Sequence, residues 1–78
     1  MSFEQHCTNI GIQLLRDDIK FIKAQLSNIP LQLHRDVLSR YANTWLAAMD
    51  DCGNVIRKMN SGRFAANTKL REFTCKVQ

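Results

Sequence analysis

The sequence is short of the residues that build turns and strands. Its 78 residues include three glycines and one proline, and aromatic residues make up 8%. So few turn formers favour helices joined by short connections over a strand-rich fold. The apolar content of 45% is ordinary for a globular domain and argues against wholesale disorder. We therefore expect a single helical domain over residues 1–78.

The cysteines form no recognisable framework. Cys7, Cys52 and Cys75 are odd in number and lie far apart without a C-x-x-C pair, which argues against disulfides and a zinc knuckle. His6 and His34 add ligand types, but the spacing matches no zinc finger. We expect no metal, no cofactor and a reducing cytoplasm.

Long apolar runs are also missing. The uncharged stretch from Gln5 to Leu15 contains polar residues and is shorter than the roughly 20 apolar residues that a membrane span needs. No secretory signal is recognisable. We expect a soluble protein that has no membrane partner.

Acidic residues nearly disappear from the last third of the chain. Residues 1–53 carry five Lys/Arg against six Asp/Glu, a net charge of −1, whereas residues 54–78 carry six against Glu72 alone, a net charge of +5. Such a basic end favours an acidic partner, most commonly nucleic acid, although a solvated basic surface is the alternative. The candidate nucleic-acid-binding residues are Arg57, Lys58, Arg63, Lys69, Arg71 and Lys76.

What the sequence does contain is a pair of apolar ladders on either side of Pro30. In each, apolar residues recur at steps of three and four, the spacing of one helix face. The first ladder comprises Ile12, Leu15, Ile19, Ile22, Leu26 and Ile29. The second comprises Leu38, Ala42, Trp45, Met49, Cys52, Ile56 and Met59. Because Pro30 ends one helix and can open the next, the ladders predict a long antiparallel helical hairpin.

Local signals suggest where the first helix begins and ends. Residues 2–5 have the form of a capping box, which predicts a helix over about 3–27. Gly11 weakens that helix by ~1 kcal/mol relative to alanine, so a later start near Thr8 or Asn9 is the alternative.

The second helix is predicted over 31–60, because its ladder passes unbroken through residues 50–54. A break at Gly53 is the alternative. Ser61 can cap a shorter third helix over 62–76. The predicted fold is all-α, either a three-helix bundle or a four-helix-type bundle formed by dimerisation. The predicted interaction seam is Leu38, Trp45, Met49, Cys52, Ile56 and Met59.

No arrangement of residues predicts catalysis. The adjacent pairs Asp17–Asp18 and Asp50–Asp51 point about 100° apart on a helix, so neither pair converges on one substrate. The sequence contains no nucleophile elbow, phosphate-binding glycine loop or H-E-x-x-H helix. We expect a non-enzymatic protein without a small-molecule substrate.

Three aromatic residues have two interpretations each. Tyr41 and Trp45 lie one turn apart and form either a stacking platform for bases or core anchors, and the ladder position of Trp45 favours the core. Phe64 falls away from the apolar stripe of the third helix, so it either packs at the helix start or belongs to a binding surface. That stripe is Ala66, Leu70, Phe73 and Val77.

Parts of the sequence resemble helical segments of replication proteins of tailed phages and related mobile elements. The residues concerned are Ile29, Pro30, Leu31, Leu38, Tyr41, Trp45 and the segment 62–72, whose R-x-A-A-N-x-x-L-R-E pattern is the most similar part. Initiators of this kind carry histidine-rich metal motifs and nucleophilic tyrosines, whereas this chain has two histidines and one tyrosine. The resemblance implies a stand-alone accessory module without a catalytic residue.

Two functions follow from these patterns, and a purely structural homo-oligomer is the third option. The first is a small DNA-binding protein of phage or mobile-element origin, acting in DNA replication or metabolism through its basic C-terminal third. The alternative is a helical protein–protein interaction module, an adaptor, regulator or inhibitor of a host complex, whose seam engages a partner helix or a second copy of the chain.

Overall fold

The computed structural model describes residues 3–54 and 56–77, and within these residues the fold is all-α, as predicted. No strand occurs in this part of the chain. A short 3₁₀ turn at Leu31–Leu33 precedes the third helix. The four helices are α1 (Phe3–Asn9), α2 (Arg16–Leu26), α3 (His34–Asp51) and α4 (Lys58–Val77).

The single helix predicted over about 3–27 is in fact the two helices α1 and α2. Gly11 has a φ of +91°, in the left-handed region that favours glycine. The N–H of Ile12 donates to the carbonyl of Cys7 at 2.8 Å, and the N–H of Gly11 donates to that of Thr8 at 3.3 Å. This pair of bonds is a Schellman motif, which ends α1. Ser2, the predicted cap, lies outside the described residues.

The second predicted helix is also too long, because α3 ends at Asp51 and the alternative break at Gly53 is correct. The side-chain oxygen of Asn54 accepts hydrogen bonds from the N–H groups of Ile56 at 2.9 Å and Arg57 at 3.3 Å. An asparagine that bonds to the backbone two residues ahead favours a turn over a continued helix.

Helix α4 begins at Lys58, four residues before the predicted start, so Ser61 and Gly62 lie inside it. Gly62 faces Trp45 of α3. A Cβ atom at position 62 would overlap Cδ1 of the indole and lie 2.5 Å from its Nε1. The missing side chain therefore allows α3 and α4 to approach closely, and this contact explains the glycine.

The largest interhelical contact joins α3 and α4. Trp45 lies opposite Gly62, and the Tyr41 hydroxyl donates to Oδ1 of Asn67 at 2.6 Å. Because earlier residues of α3 meet later residues of α4, the two helices run antiparallel. The long hairpin predicted across Pro30 is thus not the main packing contact of the fold.

Helix α2 packs along α4 in the same direction. Asp18 pairs with Arg63 at one end, and the Thr74 hydroxyl donates to Oε1 of Gln25 at 2.6 Å near the other.

Across residues 3–54 and 56–77, no helix combines the length and apolar character that spanning a bilayer requires.

The core brings both halves of the described chain together around Trp45. Tyr41 contacts Phe3 edge-on, with ring centroids 6.2 Å apart, and lies 5.9 Å from the Trp45 centroid. Both Tyr41 and Trp45 are buried, so the prediction that they anchor the core is confirmed. The buried apolar residues are Cys7, Ile12, Ile22, Ile29, Val37, Tyr41, Ala42, Trp45, Ala66 and Leu70.

Candidate nucleic-acid interface

Four of the six predicted nucleic-acid-binding residues lie on two edges of α4. Lys69 lines a cavity against α3 together with Arg40, and helical spacing places Lys58 within about 20° of Lys69 around the axis. Arg63 and Arg71 lie on the opposite edge, next to α2. Arg57 precedes the helix in an exposed turn, and the side chain of Lys76 lies outside the described part of the structure.

Arg63 is held inside the fold. Its Nε donates to Oδ2 of Asp18 at 2.8 Å, its Nη1 to Oδ1 of Asn60 at 2.6 Å and its Nη2 to the carbonyl of Gln13 at 3.3 Å. Its guanidinium carbon also lies 5.3 Å from the Trp45 ring centroid. The side chain is 19% exposed. We therefore assign Arg63 to the packing of α4 and leave it out of the interface.

Asp18 has two roles in the same contact. Its Oδ2 atom also accepts the N–H of Leu15 at 2.9 Å, which caps the start of α2. A carboxylate in the first turn of a helix is further stabilised by the helix dipole. The buried carboxylate thus links the start of α2 to Arg63 on α4.

The outer face of α4 carries an exposed aromatic ring beside a positioned cation. Phe64 is 75% exposed. Arg71 is exposed as well, and its guanidinium carbon lies 5.5 Å from the centroid of the Phe21 ring on α2. Such a cation–π contact restricts the long arginine side chain. A groove of about 280 Å³, here called the α4 groove, is lined by Asn60, Arg63, Phe64, Asn67, Thr68 and Arg71.

The amide oxygens of the two asparagines in the α4 groove already accept hydrogen bonds from neighbouring residues. Oδ1 of Asn67 accepts from the Tyr41 hydroxyl, and Oδ1 of Asn60 accepts from Arg63. The two amides therefore offer a ligand their N–H₂ donors, and each oxygen keeps a second lone pair. The Thr68 hydroxyl adds a group that both donates and accepts.

The predicted interaction seam does not form one continuous surface. Trp45 is fully buried, whereas Ile56 is 89% exposed. The seam is interrupted because α3 ends at Asp51, so the residues that follow leave its face. Partly buried positions against the core are Leu38, Met49 and Met59, and Cys52 is half-buried.

The thiols lie in contrasting environments. Burial, with a smaller contribution from Glu4, raises the pKa of the Cys7 thiol to about 11. The Ser61 hydroxyl donates to Sγ of Cys52 at 3.4 Å, and this hydrogen bond is the main cause of a lowered pKa for Cys52. Among the described residues, no three His, Cys, Asp or Glu side chains come together as a metal site.

We expect the stability of the protein to fall as the pH rises above 9. The folded pKa of Cys7 is raised from 9.0 to about 11, so its contribution is fully present below pH 9 and is lost as the pH approaches 11. Burial raises the pKa of Tyr41 in the same sense. Urea unfolding at several pH values, followed by Trp45 fluorescence, measures this effect.

The Cys7→Ala variant provides the control for this prediction. The difference in unfolding free energy between the wild type and the variant should narrow from pH 9 to pH 11, because other titrating groups cancel in the comparison. A difference that stays constant over this interval would contradict the assignment.

No local sequence pattern identifies several of the residues that hold the side chains of the site in place. Asp18 stands three residues after Leu15, a spacing that suggests a helix cap, but nothing local connects it to Arg63. The support of Arg71 by Phe21 is likewise a long-range contact. Phe64 could be singled out, because it departs from the apolar stripe.

Known proteins provide no independent assignment of this surface. No protein-family model, curated protein or solved structure matches the chain. The resemblance to phage replication proteins stays a prediction, and the function is argued from the geometry and charge of the surface.

Proposed function

We propose that this chain is a single-domain, non-enzymatic DNA-binding protein that uses its basic C-terminal third in phage or mobile-element DNA replication or metabolism. The observation that carries this proposal is the lack of carboxylate partners for its cations. Among the described side chains, the ion pairs are Arg40 with Asp36 and Arg63 with Asp18. The remaining described cations of this third, Arg57, Lys58, Lys69 and Arg71, make no such pair.

The charge of this region supports binding to phosphates. Residues 54–78 carry a net charge of +5, and pairing of Arg63 with Asp18 leaves +4 (5 − 1). Lysine and arginine that neutralise phosphates release condensed counterions, so the affinity falls as salt rises. The edges of α4 face different directions, and this suits contacts to a flexible or curved backbone better than contacts to one flat surface.

Titration of fluorescein-labelled DNA at several salt concentrations tests the proposal. The logarithm of the binding constant should fall linearly with the logarithm of the salt concentration, by about 0.7–0.9 per phosphate neutralised. The combined variant Arg57→Gln, Lys69→Gln and Arg71→Gln should bind more weakly and reduce this slope by roughly 2–3.

A variant of equal net charge provides the control. Arg16→Gln, Lys20→Gln and Arg35→Gln remove three exposed cations from the other part of the chain and should leave the slope nearly unchanged. The absence of DNA binding at low salt would refute the proposal. An equal loss of slope in both variants would show that net charge, not this surface, determines binding.

The second candidate is a protein–protein interaction module, and the observation in its favour is exposed apolar surface. Leu31, Ile56 and Phe64 are each at least 75% exposed to solvent. A stoichiometric protein partner that is retained after nuclease treatment would support this function over DNA binding.

Oligomeric state separates the two arrangements that the sequence suggested. Light scattering would give 9.0 kDa for a monomer, in which α2, α3 and α4 form a three-helix bundle. A value near 18 kDa, twice the chain mass, would indicate a homodimer with a four-helix-type bundle.

A further inference from the structure

We infer that the α4 groove binds single-stranded DNA, with an unpaired base stacked on Phe64 and the backbone held by Arg71. This inference rests on the proposed DNA-binding function and adds the form of the nucleic acid. Single-strand-binding proteins combine basic side chains along the backbone with exposed aromatic rings, because every base offers a π face.

The exposure of Phe64 is the first argument. Burying a phenylalanine contributes roughly 1.5–3 kcal/mol in other proteins, and the exposed Phe64 ring lacks most of that stabilisation. It lies among polar neighbours in the groove, between Asn60 and Thr68, and has no apolar patch around it within that groove. A ring in this setting suits a flat, π-bearing ligand with polar edges, and a nucleobase has that chemistry.

The position of Arg71 is the second argument. Arg71 lies seven helical steps after Phe64, so their Cα atoms lie about 10 Å apart along the helix. The cation–π contact with Phe21 holds the guanidinium beside α2 while the side chain stays exposed. A guanidinium that is already held in place loses less conformational entropy on binding a phosphate than a freely moving one does.

The two asparagines of the groove supply hydrogen-bond donors beside Phe64. Oδ1 of Asn60 accepts from Arg63, and Oδ1 of Asn67 accepts from the Tyr41 hydroxyl, so each amide is held by a neighbouring residue. Their N–H₂ groups suit single contacts to the acceptors on the edge of an unpaired base.

Fluorescence anisotropy with a labelled oligothymidine and a labelled duplex of equal length, in one low-salt buffer, tests the inference. Phe64→Leu keeps an apolar side chain but removes the π face, and it should weaken single-strand binding by about 5- to 150-fold. Phe64→Tyr should restore most of the affinity. Duplex affinity should change by less than about twofold in either variant.

Leu31→Ala provides the matched control, since it removes an exposed apolar side chain from a different element and should leave both affinities unchanged. A Phe64→Trp variant adds a second readout. Its emission should be quenched by oligothymidine, whereas the buried Trp45 of the wild type should respond little.

The outcomes separate this inference from the proposed function. Suppose that Phe64→Leu binds single-stranded and duplex DNA as tightly as the wild type does, while the combined Arg57→Gln, Lys69→Gln and Arg71→Gln variant binds both more weakly. The DNA-binding function then stands and the stacking inference is wrong. Equal losses in Phe64→Leu and Phe64→Tyr would also overturn stacking. If the wild type binds neither form, both proposals are refuted.

Discussion

Replacing Gly62 by alanine is expected to lower the free energy of unfolding by about 1–3 kcal/mol, the usual cost of overpacking a core. Helix propensity alone predicts the opposite, because alanine is the better helix former by ~1 kcal/mol. The added Cβ would meet the buried indole of Trp45, whose atoms it overlaps. Thermal unfolding followed by circular dichroism should show a melting temperature lower by roughly 5–20 °C.

Two further variants isolate this contact. Gly53→Ala adds a methyl group where no atom lies within 4 Å and should change the stability little. Trp45→Phe shrinks the opposing ring, so Gly62→Ala should cost less in that background than in the wild type. A higher melting temperature for Gly62→Ala alone would show that α4 can move away from Trp45 at little cost.

Asp18→Ala should have a still larger effect, about 3–5 kcal/mol, the range seen when one partner of a buried ion pair is removed. The change leaves the guanidinium of Arg63 without its carboxylate and the N–H of Leu15 without its acceptor. Urea unfolding monitored by Trp45 fluorescence would measure the loss.

The neighbouring residue Asp17 serves as the control, because it is exposed in the same helical turn, and Asp17→Ala should stay within about 0.5 kcal/mol of the wild type. In an Arg63→Met background, Asp18→Ala should cost less, because no charge is then left unpaired. Equal effects of Asp17→Ala and Asp18→Ala would mean that the ion pair contributes little.

Apolar spacing identified the helix faces but not the helix ends. Trp45, Ala66 and Leu70 are buried as their spacing predicts. Helix propensity alone makes Gly11 a weak helix residue, whereas its left-handed conformation gives it a stabilising role at the end of α1. A three–four repeat identifies the side chains that face the core, but it does not show whether they belong to one helix. Met59 continues the repeat of α3, although it lies in α4 beyond the intervening loop.

The role of Gly62 depends on a contact that spacing does not contain. In the sequence, a glycine beside Ser61 fits a helix start. Its role in close packing can be recognised only from the structure, in which Trp45 lies opposite. The same reasoning applies to Arg63. The charge count placed it in the basic third, but its partner Asp18 lies 45 residues away in sequence. Arg71 and Phe64, by contrast, keep the exposure that their positions on α4 suggest.

The ion pair between Asp18 and Arg63 also has a consequence for the order in which the chain is made. Synthesis proceeds at about 5–20 residues per second, so Asp18 precedes Arg63 by about 2–9 s. Collapse of a short chain takes microseconds. The contact between Phe3 of α1 and Tyr41 of α3 can form before α4 is made, whereas the packing of α2 along α4 must wait for Arg63. For those seconds the Asp18 carboxylate has no arginine to pair with, and α2 has no α4 to pack against.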